Sequence, residues 1–337
     1  MYKTFTEIKD EVFDDLNLDL ENFVDTTEFM RIINRAISSC ESMIHKFAVE
    51  DAYFETVAPI ALKSGFQEYT LPYNIYGTKI RRIVCNKSND TYEIKRNKKL
   101  GRYLHASYQD NNSSSSNAFS YMVLNKEAPF SIREDGKVVS GGARIKFYPR
   151  PSEDTTVLTG TDITFISEAQ SSMYPGVGVY YSVFSHADFA SAMVGDFVIF
   201  GFAGVEDYTE YDFLKKYGHV RIEKVDGTNI YLDTSLPQEW EAAQFQIIRP
   251  DYLMYYIRRA KKVTDESDYV DIPEFYTYIT QFCKVECIKK ELGNPRLAEE
   301  KELLFSLRDD VMSTLTEMTP DQDDKLEIDN SVDEEMV

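Results

Sequence analysis

The sequence predicts an α+β protein. Two observations carry this: apolar residues recur at three- and four-residue spacing near both ends of the 337-residue chain, and short aromatic and β-branched runs fill the middle, broken by Asn, Ser, Gly and Pro. A helical period gives way to a strand period after Tyr53 and returns after Ile272, so both ends are expected to pack as one helical bundle. That bundle takes residues 1–52 and 271–318. An antiparallel β domain, 53–165 with 251–270, lies between them, and a second small β-barrel-like domain, 166–250, is inserted in it. Residues 319–337 form an acidic tail.

Phe5, Ile8, Val12 and Phe13 share one helical face, and Phe29, Ile32, Ile33, Ala36, Ile37, Cys40, Ile44 and Phe47 share another. The second helix is expected to begin near Thr27, with Asp25 or Thr26 capping the free amides and Glu28 favoured by the positive end of the helix dipole. Strand signals follow at Ile80 to Val84, Tyr92 to Lys95, Tyr121 to Asn125 and Ala143 to Tyr148. Asn111 to Asn117 reads NNSSSSN, an exposed polar loop, and Glu134-Asp135-Gly136-Lys137 reads as a hairpin turn. In the second block Val194 to Phe200, His219 to Ile222, Ile230 to Leu232 and Phe245 to Ile248 are strands, with Asp226-Gly227 a tight turn between two of them. Strands this short close most readily as a barrel or roll. Tyr252 to Val263 gives one returning strand. Ile272-Pro273 opens a helix that stops at Gly293-Asn294-Pro295, and a last helix runs from about Arg296 to Met318 on Leu297, Leu303, Leu304, Leu307 and Leu315.

Lys and Arg total 37 against 57 Asp and Glu, a net charge of −20, which opposes attraction to nucleic-acid phosphates. The same charge suits a wall that DNA passes without sticking. The N-terminus has no basic lead followed by an apolar run, and nothing approaches the roughly 18 apolar residues of a membrane span, so a soluble chain made in the cytoplasm is expected. The tail from Pro320 to Val337 carries eight acids against one lysine and is expected to be disordered in isolation. Its apolar Leu326, Ile328, Val332 and Met336 suit ordering on a partner; the plain alternative is a solubilising end.

Catalytic signatures are sparse. There is no phosphate-cradling Gly-rich loop, no zinc-protease His pair and no nucleophile elbow, so no enzyme activity, cofactor or metal is expected. The histidines at 45, 105, 186 and 219 lack metal-ligand spacing, and His186 in Ser185-His186-Ala187-Asp188 reads as a loop or cap residue. Cys40, Cys85, Cys283 and Cys287 indicate no disulfide framework, and Cys283 with Cys287 lacks further zinc ligands, which leaves buried thiols on a helix face. A basic patch stands out at Lys95, Arg96, Lys98 and Lys99 with Arg102, alongside Arg258, Arg259, Lys261 and Lys262. It is either a docking surface for an acidic neighbour or a pair of solvated strand ends.

Three strings, taken in order, resemble the head-to-tail adaptor family of tailed bacteriophages, which includes tail tubular protein A of short-tailed phages and the ring proteins below the portal in crAss-like phages. They are Phe29-Met30-Arg31-Ile32-Ile33-Asn34-Arg35-Ala36, Arg144-Ile145-Lys146-Phe147-Tyr148-Pro149-Arg150-Pro151 and Val270-Asp271-Ile272-Pro273-Glu274-Phe275-Tyr276. The resemblance covers both ends and the first β block; the block from about Ile166 to Pro250 departs from it as an insertion. It implies a structural virion protein at the head-tail junction: a homo-oligomeric ring, of twelve copies, touching the portal protein and the next tail or ring protein. Genomic DNA passes through the channel without specific binding, and no membrane is involved. Contact residues are then expected at basic and aromatic positions: Arg31, Arg35, Lys95, Arg96, Lys98, Lys99, Arg258, Arg259, Phe275 and Tyr276. Two alternatives stand beside it. The 23 tyrosines allow a carbohydrate-binding or glycan-hydrolysing tail protein, if two carboxylates sit in an aromatic cleft, and a non-viral scaffold protein is the other.

Overall fold

A computed structural model describes residues 3–16, 24–47, 51–72, 74–87, 90–97, 114–115, 120–124, 131–132, 138–139, 144–170, 180–201, 213, 217–234, 236, 243–290 and 294–317. It has helices and several antiparallel sheets, an α+β fold. The chain divides into two compact units, Met1–Phe54 with Arg259–Val337, and Glu55–Arg258.

Among the described residues the first unit holds four α-helices: α1 (Phe5–Leu16), α2 (Thr26–Phe47), α3 (Tyr276–Ile288) and α4 (Leu297–Glu317). Each of α1 and α2 buries the stripe its spacing defines, Phe5, Ile8, Val12 and Phe13 on one and Phe29 through Ile44 on the other. Asp25, not Thr26, caps α2: its Oδ1 accepts from the Glu28 backbone N–H at 2.6 Å. Replacing Asp25 with Ala orphans that donor and is expected to cost about 1 kcal/mol, read from the denaturant midpoint of the helical signal.

Helix α3 is entered through a 3-10 turn at Pro273–Phe275, and buries residues on nearly every side, as a central helix must. Past Ile288 its last turn tightens, the Lys290 N–H donating three residues back to Cys287 O at 3.1 Å. Gln281 Nε2 then ties α3 to α4 by donating to the Glu300 carbonyl at 3.0 Å and to its carboxylate at 2.7 Å.

The segment after Arg258 was expected to remain in the β domain as far as residue 270, but it belongs with the helices. Asn34 on α2 holds it at both polar groups of its amide, donating to Val263 O at 2.8 Å and accepting from Val263 N at 2.9 Å. Thr4 also bridges to Tyr269.

The second unit contains, in order, β1 (Glu55–Pro59), β2 (Glu68–Thr70), β3 (Ile75–Lys87), β4 (Asp90–Glu93), β5 (Lys95–Arg96), β6 (Ser120–Leu124) and β7 (Arg144–Tyr148). There follow β8 (Val157–Gly160), β9 (Thr164–Gln170), β10 (Tyr180–Ser185), β11 (Phe197–Gly201), β12 (Val220–Asp226), β13 (Asn229–Leu232), β14 (Gln244–Ile248) and β15 (Tyr252–Arg258). Two four-stranded sheets, ordered β1-β15-β3-β4 and β2-β7-β6-β5, share a core of Ile83, Cys85, Ile145, Phe147, Tyr252, Met254 and their neighbours. Because the last strand pairs with the first, Glu55 opposite Ile257, both ends of the unit emerge side by side.

The remaining strands form a seven-stranded antiparallel sheet, β8-β14-β11-β12-β13-β10-β9, around a second core of Phe184, Phe189, Phe200, Phe213, Ile222, Ile230, Leu232 and others. It begins at Val157, ahead of the expected Ile166, because Val157 to Gly160 pair with Phe245 to Ile248. Every residue of β11 is buried, so both its faces are covered. Among the described residues the edge strands β8 and β9 share no ladder, so the expected barrel is not closed by hydrogen bonds there.

Gly227, at φ +61°, makes the expected tight turn between β12 and β13. Of the polar NNSSSSN tract, Ser114–Ser115 pair in parallel with Arg150–Pro151. The Glu134–Lys137 turn lies outside the described residues, though the strands flanking it, Ser131–Ile132 and Val138–Val139, pair antiparallel. The acidic tail also lies outside them.

Candidate interaction surface

The residues with chemical potential resolve mostly into structure. Burial pushes the Cys40 and Cys287 thiols up to about 12 and raises Cys283 as well, so none offers a thiolate at neutral pH. His186 caps a 3-10 turn, its Nδ1 accepting from the Asp188 N–H at 3.1 Å. Among the described residues no three His, Cys, Asp or Glu are grouped to hold a metal, and no helix is long and apolar enough to cross a membrane.

What the described surface does offer is a contrast between two helices of the first unit. On α2, Arg31, Arg35 and Ser38 stand exposed on the stripe left over once the apolar stripe is buried. They line a shallow concavity of about 570 Å³ with Glu28, Asn34 and Lys262. The Lys262 ammonium reaches across it, donating to Ser38 Oγ at 2.6 Å and Asn34 O at 3.3 Å. Partial burial lowers its pKa; Glu41 pulls the other way and Arg259 adds to the lowering. Glu28 is paired with Lys290, and Arg35 lies 3.2 Å from Glu286 while 61% exposed, so its guanidinium retains open donors.

Helix α4 is the opposite. It carries six acids against Lys301 and Arg308, and buries Val311 and Leu315 on its inner side. On its outer side Glu302, Phe305 and Asp309 are exposed, Phe305 at 60%, while Leu303, at 49%, and Asp310 are exposed about a quarter of a turn away. An exposed phenylalanine bracketed by carboxylates is what a buried-when-assembled contact with a polar rim looks like from one side.

Of the expected contact residues, the fold brings Arg31 and Arg35 together, and adds Lys262, which sequence grouped with Arg258. Arg258 ends β15 in the β unit, whereas Arg259 begins the return into the helical one. Lys95 and Arg96 form β5, exposed, pairing in parallel with β6. Lys98, Lys99 and Arg102 lie outside the described residues.

Phe275 and Tyr276 are corrected: both are interior, at 5% and 8% exposure. Phe275 stacks on Tyr53 at 6.4 Å, and the Tyr276 hydroxyl donates to Val270 O at 3.0 Å while accepting from Lys3 N at 2.9 Å. These contacts fix Lys3 against the entry to α3 and consume the aromatic pair in packing.

No family model matches this chain, and no curated protein matches it in sequence.

Proposed function

We propose that the chain is a structural virion protein, a head-to-tail connector that forms a ring beneath the portal and joins capsid to tail. The observation that carries this reading is the helical unit built from both chain ends, which exposes a basic concavity on α2 and an acidic, partly apolar face on α4. A protein that joins itself laterally needs two unlike surfaces on one rigid body, since only unlike surfaces repeat around a ring. The resemblance of the Phe29–Ala36, Arg144–Pro151 and Val270–Tyr276 strings supplies the expectation of portal contact. The net charge of −20 suits a channel through which DNA moves, because like-charge repulsion keeps the polyanion off the wall.

Electron microscopy of the chain mixed with the portal protein from the same genome tests the reading. The expected result is a ring of symmetry-related copies around an axial channel on one portal face; particles of bare portal at saturating chain would overturn it.

A further inference from the structure

We infer that the outer face of α4, comprising Glu302, Phe305 and Asp309, docks on the α2 concavity of a second copy of this chain. The inference deepens the ring reading and rests on it for closure of the ring, while the contact itself is argued from the helical unit alone.

Charge selects the partner. In a chain of net charge −20, Arg31, Arg35 and Lys262 gather around one concavity. Most acidic proteins would find a basic groove attractive, but this chain carries a matching ligand on itself. Glu302, Phe305 and Asp309 fall at i, i+3 and i+7, one stripe of α4, and Arg31, Arg35 and Ser38 fall at i, i+4 and i+7 on α2. Two such stripes meet along helices packed about 8–10 Å apart. Carboxylates at the ends of the α4 stripe then reach the two guanidiniums, and the Phe305 ring lies between them, where an arginine face stacks on it.

Apolar burial argues the same way. Phe305 is large and exposed, and the long aliphatic stems of Arg31 and Arg35 are the kind of surface that covers it without burying an unpaired charge.

The contact cannot form within one copy. Helices α2 and α4 already pack against each other in the unit, yet both stripes remain exposed, and among the described residues no ion pair joins the two. An α2-to-α4 contact is therefore between copies. It uses different patches on the two partners, so it propagates from copy to copy and closes into a ring or runs on as a fibre.

A charge swap tests this with the full chain. One variant carries Arg31→Glu with Arg35→Glu, the other Glu302→Arg with Asp309→Arg; circular dichroism checks that each is folded. Sedimentation velocity is expected to show wild-type self-association that weakens with added salt, and each variant alone associating at least about tenfold more weakly. Mixing the two variants in equal amounts restores association, because each reversed face then meets a reversed partner. If Arg35→Glu unsettles the Glu286 pair, Arg31→Glu alone replaces it, with the same expectations.

A wild type that stays monomeric, variants that associate as well as the wild type, or a mixture that stays monomeric would each overturn the contact. Portal binding is scored separately by microscopy. Variants that still form a full ring on the portal would remove this contact and leave the connector reading intact, whereas failure of the wild type to bind the portal would remove that reading.

Discussion

Replacing Phe29 with Ala is expected to destabilise the helical unit by about 3–5 kcal/mol. The Phe29 ring is fully buried on α2 and lies 5.5 Å from Phe5, edge to face, and 5.4 Å from Phe13. It joins the helix at the start of the chain to the one that carries the basic concavity. Truncation removes its transfer free energy, leaves a cavity between two rings that cannot both collapse inward, and forfeits two aromatic contacts worth about 0.5–1.5 kcal/mol each. Denaturant unfolding followed by helical circular dichroism measures the loss. Phe305→Ala on α4 is the control: its ring is 60% exposed in one copy, so its removal stays within about 0.5 kcal/mol. If the two substitutions cost the same, the three-ring cluster does not hold α1 to α2.

The helices were legible because their period is local. The apolar positions of α1 and α2 lie on one face by spacing alone, and all of those named on α1 are buried. The strands were legible mainly as fragments. Sequence marks Ile80 to Val84, but β3 runs from Ile75 to Lys87 through Gly77 and Thr78, both at positive φ. The ladder with β15 jumps there, from Ile80 opposite Tyr256 to Ile75 opposite Arg258. A Gly inside a strand reads as a break in sequence, whereas an irregular stretch lets the strand bend and resume. The early start of the second block at Val157 was hidden for another reason: Val157 to Gly160 become a strand only through pairing with Phe245 to Ile248, far along the chain.

The candidate site was half legible. Arg31 and Arg35 are one turn apart on a helix whose other face is apolar, so their exposure follows from spacing. Lys262 joins them only because Asn34 clamps Val263 against α2, a contact across more than two hundred residues that no local pattern encodes. Phe275 and Tyr276 misled for the converse reason. Next to Pro273 at a helix entry they resemble surface aromatics, and only the tertiary partners Tyr53 and Lys3 make them interior. Leu303, counted by its spacing among the apolar positions of the last helix, is 49% exposed, and Phe305 sat unremarked within a run of helix-forming residues. The available signal was that Phe305 falls one position off the stripe set by Leu304, Leu307, Val311 and Leu315.

Acidification between pH 7 and pH 5 is expected to remove about 2 kcal/mol of stability through His219 alone. Burial lowers its pKa from 6.5 to about 4, and its ring packs edge to face on Phe197 of β11 at 6.3 Å. The folded protein therefore holds this imidazole neutral while the unfolded chain protonates it, so between these two pKa values the unfolded state binds more protons. The contribution is complete above about pH 6.5, falls as pH drops through that window, and levels out below about pH 4 after a total loss of about 3 kcal/mol. Asp196 and Asp233, in the same β block, act in the opposite direction. Burial raises both, against hydrogen bonds from the Met193 and Arg221 amides, so their protonation favours the folded state as pH falls. A single acid-denaturation curve mixes these effects. The difference between the wild type and His219→Phe does not, because both proteins share the same carboxylates and phenylalanine keeps the ring contact without a titrating proton. Denaturant unfolding at pH 7 and pH 5 should show the wild type losing about 2 kcal/mol more than the variant; equal losses would mean that His219 is hydrated well enough to protonate in the folded state.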